Sequence, residues 1–166
     1  RNLTKGTVMR ILLDMDGVLC DFDKRCDELD CWRTDIHKCN WKKMEEIGES
    51  FWADMKPLDE GMMLFNYLVN YCEKNGHELG ILSAVHLPCG KRGKRKWLTN
   101  NGLAQFMKYP NIIIINNGNQ KYKLAEPDML LIDDKVENCE KFIEAGGKAI
   151  RFDGNSAVVI KALEEV

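Results

Sequence analysis

V-M-R-I-L-L-D-M-D-G-V-L-C-D-F, from Val8 to Phe22, is the stretch that decides the fold. It opens with an apolar run rich in branched residues, the pattern of a strand buried on both faces in a parallel sheet. The run ends in Asp14 and Asp16, one residue apart and followed at once by Gly17. Strand alternation sends the two carboxylates toward the same side. Gly17 then lets the backbone turn and come close to a ligand. Two like charges about 4 Å apart cost about 4 kcal/mol at an effective dielectric near 20. A fold keeps such a pair when a cation or a proton sits between them. A strand-end turn also favours Asp and Gly, but the paired acids point to a catalytic loop.

Downstream, apolar runs and helical stripes alternate. Asp59 is placed to cap a helix whose stripe runs Met62, Met63, Phe65, Leu68, Val69 and Cys72 and closes at Asn75-Gly76. Glu78 to Ser83 reads as a second strand, and a helix starts near Lys91 and closes at Asn101-Gly102. Asn111 to Asn116 and Met129 to Asp134 are further strands, and Val136 to Ala145 a helix ending at Gly146-Gly147. Ala149 to Phe152 and Ser156 to Glu165 make a last strand and helix. Strands alternating with helices imply a parallel sheet with right-handed crossovers. Ligands bind such sheets beyond the carboxyl ends of the strands. Asp14, Ser83 and Asp133 each stand at such an end, so topology alone brings them together.

Residues 22–55 have a different character. They hold Cys26, Cys31, Cys39, Phe51 and three of the four tryptophans, with Trp41 to Ile47 reading as helix. The expectation is a small helical cap over 22–55, inserted into a core domain formed by 1–21 and 56–166. Cys26, Cys31, His37 and Cys39 are zinc-type ligands, but no C-x-x-C pair occurs among them, and buried structural thiols are expected instead.

At 166 residues the chain is about one domain. Its 45% apolar and 30% charged content is that of an ordinary globular protein, and a net charge of -2 excludes a globally basic nucleic-acid binder. No apolar run approaches the ~20 residues that span a membrane. The amino end, Arg1 to Thr7, lacks the apolar core of a signal peptide. Seven scattered cysteines suit reduced thiols, so a cytoplasmic setting is expected. A charged ligand at the strand ends would call for a cation. Lys91, Arg92, Lys94, Arg95 and Lys96 are candidates, as are Lys121 and Lys123. Basic residues at a helix start oppose its dipole, which favours a ligand role for at least one of them.

The first motif resembles that of the haloacid-dehalogenase-like superfamily, an apolar strand followed by D-x-D-G-x and a further apolar residue. Ser83 matches the second motif and L-L-I-D-D, Leu130 to Asp134, the fourth. Within the superfamily the chain is most similar to the 5'(3')-deoxyribonucleotidases and related phage or bacterial nucleotidases. Phe51 to Gly61 is similar to that family's aromatic pair and P-x-x-G-like segment, and Lys94 precedes Trp97 at its lysine-to-tryptophan interval. Ala84 departs from the pattern, standing where a second hydroxyl is usual.

The resemblance implies a three-layer α/β sandwich of Rossmann type with a central parallel sheet and a small cap. It implies a magnesium-dependent phosphatase acting on nucleoside monophosphates. Asp14 would be the nucleophile and Asp16 the general acid/base. Ser83, Ala84 and Lys94 would hold the phosphate, and Phe51 or Trp52 would stack on the base. A phosphate dianion repels an Asp nucleophile unless a cation intervenes, and magnesium takes oxygen ligands with substrate phosphate. Asp14, the Asp16 carbonyl and Asp133 would hold the metal, with Asp134 on a metal-bound water. A phosphatase for another small metabolite would keep the same core. A 3'-end nucleic-acid phosphatase would instead use Lys91 to Lys96 on the backbone.

Overall fold

Ile11, Leu12 and Leu13 are fully buried because their strand, β1 (Arg10–Leu13), runs down the middle of the sheet. In the computed structural model, which describes residues 7–166, β4 (Glu78–Ala84) and β6 (Met129–Asp133) flank it. β5 (Ile112–Ile115) and β7 (Lys148–Arg151) form the edges, in the order β5-β4-β1-β6-β7. Every pairing is parallel, with Leu13 opposite Ile81 on one side and Ile132 on the other. The order reverses at β1, so the crevice beyond its carboxyl end is the ligand position for this topology. The expected core segment 1–21 extends over residues 1–6, which lie outside the described residues.

The pleat divides the apolar side chains between two layers. Ile11, Leu13, Ile81 and Ile132 face one side with α4 (Asp59–Asn75), α5 (Pro88–Asn100) and α7 (Ser156–Leu163), through Phe65, Trp97 and Val159. Leu12, Leu82 and Leu131 face the other side with Phe142 of α6 (Val136–Glu144). The three-layer α/β sandwich read from the sequence is therefore the observed architecture.

Two helix starts differ from expectation. Leu58, without a side-chain hydrogen bond, is the N-cap of α4, and Asp59 is its first residue, where an acid complements the dipole. Helix α5 begins at Pro88, whose fixed φ suits a first helical position. Lys91 is therefore not at the helix start, and the dipole argument for the basic run does not apply.

The inserted stretch contains α1 (Phe22–Glu28), β2 (Trp32–Arg33), β3 (Lys38–Cys39), α2 (Trp41–Ile47) and α3 (Ser50–Ala53). It is not purely helical: β2 and β3 form an antiparallel ribbon, Trp32 opposite Cys39. Two residues per strand are too few to show alternation in sequence. Its apolar side chains, among them Cys26, Met44, Phe51 and Trp52, join the same core cluster as the sheet. Helix α3 lies so close to α5 that a Cβ on Gly93 would stand 2.5 Å from the Glu49 carbonyl oxygen.

Candidate active site

Asp14 follows β1 directly and is held at the sheet end by its N–H, which donates to the Ile132 carbonyl at 2.9 Å. The chain then folds into a tight turn. The N–H groups of Val18, Leu19 and Cys20 converge on the Met15 carbonyl at 3.1, 2.8 and 2.9 Å. Gly17 in this turn has φ +79°, and any Cβ there would collide with the Asp134 carboxylate. Glycine is thus what lets the ends of β1 and β6 bring their acids together.

Each acid of the D-x-D pair meets its own lysine. Lys121, from a 3₁₀ turn over Gly118–Leu124, places Nζ 3.0 Å from Asp14 Oδ1 and 2.8 Å from Asp133 Oδ2. Lys94, from the middle of α5, places Nζ 2.9 Å from Asp16 Oδ2, 2.7 Å from Ser83 Oγ and 3.1 Å from the Ala84 carbonyl oxygen. Both lysines are buried. Burial alone would discharge Lys121, but the carboxylates of Asp14 and Asp133 outweigh it and hold the ammonium above its ordinary value.

The acids differ sharply. Burial pushes Asp14 up, with Lys121 pulling the other way and Asp133 and Asp16 adding to the rise. Burial also opposes ionisation of Asp133, but Lys121, the Lys135 N–H and Asn138 together hold it below its usual range. Both Asp133 oxygens are engaged: Oδ1 accepts from the Lys135 N–H at 2.9 Å, and Oδ2 accepts from Asn138 Nδ2 at 3.1 Å as well as from Lys121. Asp134 has no such support. Burial first, then Asp14 and Asp133, raise it to about 7.

Among the described residues, the side-chain oxygens of Asp14, Asp133 and Asp134 form the one metal-type group, within 4.8 Å of one another. Asp134 Oδ1 and Asp16 Oδ1 are buried without a hydrogen-bond partner. Buried polar atoms are ordinarily paired, and an all-oxygen set short of donors suits a hard dication. The residues fit such an ion. Within the group, Asp134 has the uncommitted oxygen, whereas both Asp133 oxygens already accept hydrogen bonds from Lys121, Asn138 and the Lys135 N–H.

A cavity of about 690 Å³ opens here, lined by Asp14, Asp16, Lys121 and Asp134, and by Phe22, Trp41 and His86. Trp41 stands edge-on to His86, ring centres 4.8 Å apart. Ala84 lines the cavity, but Ser83, Lys94 and Asp133 do not. Ser83 is fully buried behind it, its Oγ accepting from Lys94.

Phe51 and Trp52 are not at the site. Both are completely buried and absent from the cavity wall. Phe51 packs edge-on against Phe22 at 5.8 Å, and Trp52 fills the space above Gly90 and Gly93. The rings on the cavity wall are instead Phe22 and Trp41, which sequence reasoning missed. Phe22 carried a signal, standing five residues after Gly17 of the D-x-D-G motif; Trp41 and Asn138 carried none.

Most of the basic run is also accounted for. Arg92 and Lys96 pair with Glu49 at 3.4 and 3.3 Å, and Arg95 donates to the Ile112 carbonyl at 3.3 Å and lies over the Tyr109 ring. Cys26, Cys31, Cys39 and His37 form no metal-type group among the described residues; Cys26 is hydrogen-bonded to Cys39, which with burial raises its thiol above the ordinary range. No helix among the described residues is long and apolar enough to cross a membrane.

No protein-family model matches the chain, and no curated protein is significantly similar to it. Solved structures do resemble it. L-2-haloacid dehalogenase from Xanthobacter autotrophicus aligns at 12% identity and a TM-score of 0.54, over 87% of this chain and 77% of that one. A HAD family hydrolase from Deinococcus radiodurans R1, with bound phosphate and sodium, aligns at 13% identity and a TM-score of 0.53, over 87% and 80%. A HAD family enzyme from Bacteroides thetaiotaomicron, in complex with magnesium and inorganic phosphate, gives 13%, a TM-score of 0.50, and 87% and 93%. The likeness is one of fold.

Proposed function

We propose that this chain, which has the haloacid-dehalogenase-like fold, is a magnesium-dependent phosphatase for small phosphate monoesters. The observation that carries this reading is the pairing at the β1 end: a buried carboxylate, Asp14, in contact with Lys121 and beside two acid oxygens that have no partner. Buried oxygens in structural ion pairs are ordinarily paired.

In this reading Asp14 attacks phosphorus while the bond to the leaving oxygen breaks, giving an aspartyl-phosphate and splitting the reaction in two. Asp16 gives its proton to the leaving oxygen, then takes one from the water that hydrolyses the intermediate. Lys121 lines the cavity and has a donor to spare, so it meets the phosphoryl oxygens in the place expected for Lys94. Magnesium, held by Asp14, Asp134 and the Asp16 carbonyl, would neutralise charge on the transferring group. Asp133 keeps Lys121 and the β6 end in place.

For substrate we favour nucleoside monophosphates, with residues 22–55 serving as the cap. Phe22 and Trp41 from that segment, with His86, give the cavity a ring-bearing wall, and its volume accommodates a nucleotide. Support for a nucleic-acid substrate is poor, because the exposed basic residues of α5 pair within the protein. Phosphate release from a panel of nucleotides, sugar phosphates and oligonucleotides, with magnesium and with EDTA, tests the proposal. Magnesium-dependent release, fastest with mononucleotides, is expected. Undiminished release in EDTA, or none from any monoester, would overturn it.

A further inference from the structure

The sequence favours Lys94 over Lys121 for the phosphate, and counting the donors of each reverses that order. An ammonium has three N–H groups. Lys94 has three acceptors, at 2.7, 2.9 and 3.1 Å, and is fully buried. Every donor is used and none faces the cavity. Lys121 has two acceptors, at 2.8 and 3.0 Å, and lines the cavity. One N–H is left for a ligand.

The acceptors of Lys94 also have a pattern. One is the Asp16 carboxylate, in the turn after β1; the other two are Ser83 and Ala84, at the end of β4. Lys94 therefore ties an acid in the turn after β1 to the end of a neighbouring strand of the sheet. Ser83 does not face the cavity either, and with its Oγ accepting from Lys94 it belongs to this strut.

We infer that Lys94 is a positioning residue, holding the Asp16 carboxylate in place for proton transfer to the leaving oxygen without itself touching the phosphate. The inference rests on the phosphatase reading. It makes a demand that a phosphate-binding lysine would not meet. An acid catalyst matters most when the leaving oxygen is strongly basic and least when it departs unaided. Loss of a phosphate ligand weakens all monoesters alike.

Steady-state kinetics of Lys94→Met and Lys121→Met on an alkyl phosphate and on p-nitrophenyl phosphate, with inhibition by inorganic phosphate, decide between the two roles. For Lys94→Met, kcat on the alkyl ester should fall about 10²- to 10⁴-fold, the usual span of general acid catalysis. The fall on p-nitrophenyl phosphate should be much smaller, and phosphate inhibition should be unchanged. Lys121→Met should instead weaken phosphate inhibition and slow both esters alike. Equal losses on both esters in Lys94→Met, with weakened phosphate inhibition, would overturn the inference.

Removing Lys94 leaves Asp16 unpaired, and the single variant can fail to fold. The double variant Asp16→Asn/Lys94→Met removes both charges of the pair and is compared with Asp16→Asn, in which the Lys94 ammonium keeps its Ser83 and Ala84 acceptors. If Lys94 acts through Asp16, the double variant matches the single one in kcat and in phosphate inhibition; a further loss contradicts it. Should the wild-type protein release no phosphate, the phosphatase reading falls. Calorimetric binding of inorganic phosphate then decides Lys94 separately: binding kept in Lys94→Met supports the assignment, and binding lost overturns it.

Discussion

The carboxyl end of the sheet and the inserted segment bury opposite kinds of residue. At the sheet end Asp14, Asp133, Lys94 and Lys121 are all buried. In the insertion, α1 through α3, every buried side chain is apolar or a thiol: Cys26, Cys31, Met44, Phe51, Trp52 and Ala53. Burying charge is costly even when it is paired, whereas burying aromatic rings stabilises a fold wherever it occurs. Under the phosphatase proposal, buried charge marks the chemistry, and buried rings mark the packing.

The largest expected effect lies on the charged side. Asp14→Asn should lower kcat by at least about 10⁴-fold, as removal of a nucleophile does elsewhere, while the circular dichroism spectrum stays that of wild type. Turnover within tenfold of wild type would erase the distinction between the two regions.

On the packed side the loss should appear in stability and not in chemistry. Trp52→Ala empties the space above Gly90 and Gly93, and such truncations cost about 3–5 kcal/mol. Denaturant unfolding measures this directly. The kcat/KM of the folded fraction should stay near wild type for every ester. A selective loss on nucleotides would return Trp52 to the site and blur the comparison.

Trp41 lies in the insertion yet faces the cavity, so it sharpens the boundary. Trp41→Ala should lower kcat/KM on nucleoside monophosphates about 5- to 150-fold, the equivalent of a stacking contact of ~1–3 kcal/mol. Ring-free alkyl phosphates should be nearly unaffected in the same assay. Equal losses would make this ring, too, part of the packing.

The smallest effect concerns pH. Asp134 is raised to about 7 by burial and its acidic neighbours, so the metal-free protein is protonated there below neutrality. Magnesium must displace that proton, and its affinity should weaken by up to about tenfold per pH unit below ~7. Titration calorimetry from about pH 8 down to pH 6 reads the slope. The same shift favours the protonated fold, so this group costs the metal-free protein stability as pH rises from about 4 toward 7. Magnesium affinity flat over that range would remove Asp134 from the ligand set.

The five sheet strands were legible to within two residues: in β1, β4 and β6 double-sided burial demands apolar runs too short for a helix, and the half-buried edge strands β5 and β7 show as short runs between turn residues. Asp14 and Asp16 were legible for a related reason: paired acids closing a buried strand have few structural explanations. What stayed hidden was fixed by long-range contact. Asp133 and Asp134 are adjacent, so alternation sends them to opposite sides without saying which is anchored; Lys121 and Asn138 decide that. Lys94 and Lys121 were both candidates, and the three acceptors around one ammonium and the two around the other are contacts no spacing reveals. Phe51-Trp52 and Trp41 are alike in composition. Their difference comes from Gly90 and Gly93, which let α3 sink against α5.

The central claim is that Asp14 becomes phosphorylated, and the measurement that tests it most directly is peptide mass spectrometry of enzyme quenched in acid during turnover. Asp16→Asn, mixed with a phosphate monoester and magnesium, should accumulate phosphate on the peptide containing Asp14, and Asp14→Asn should carry none. Turnover by wild type with no label on Asp14 in either protein, or label on another residue, would contradict the account.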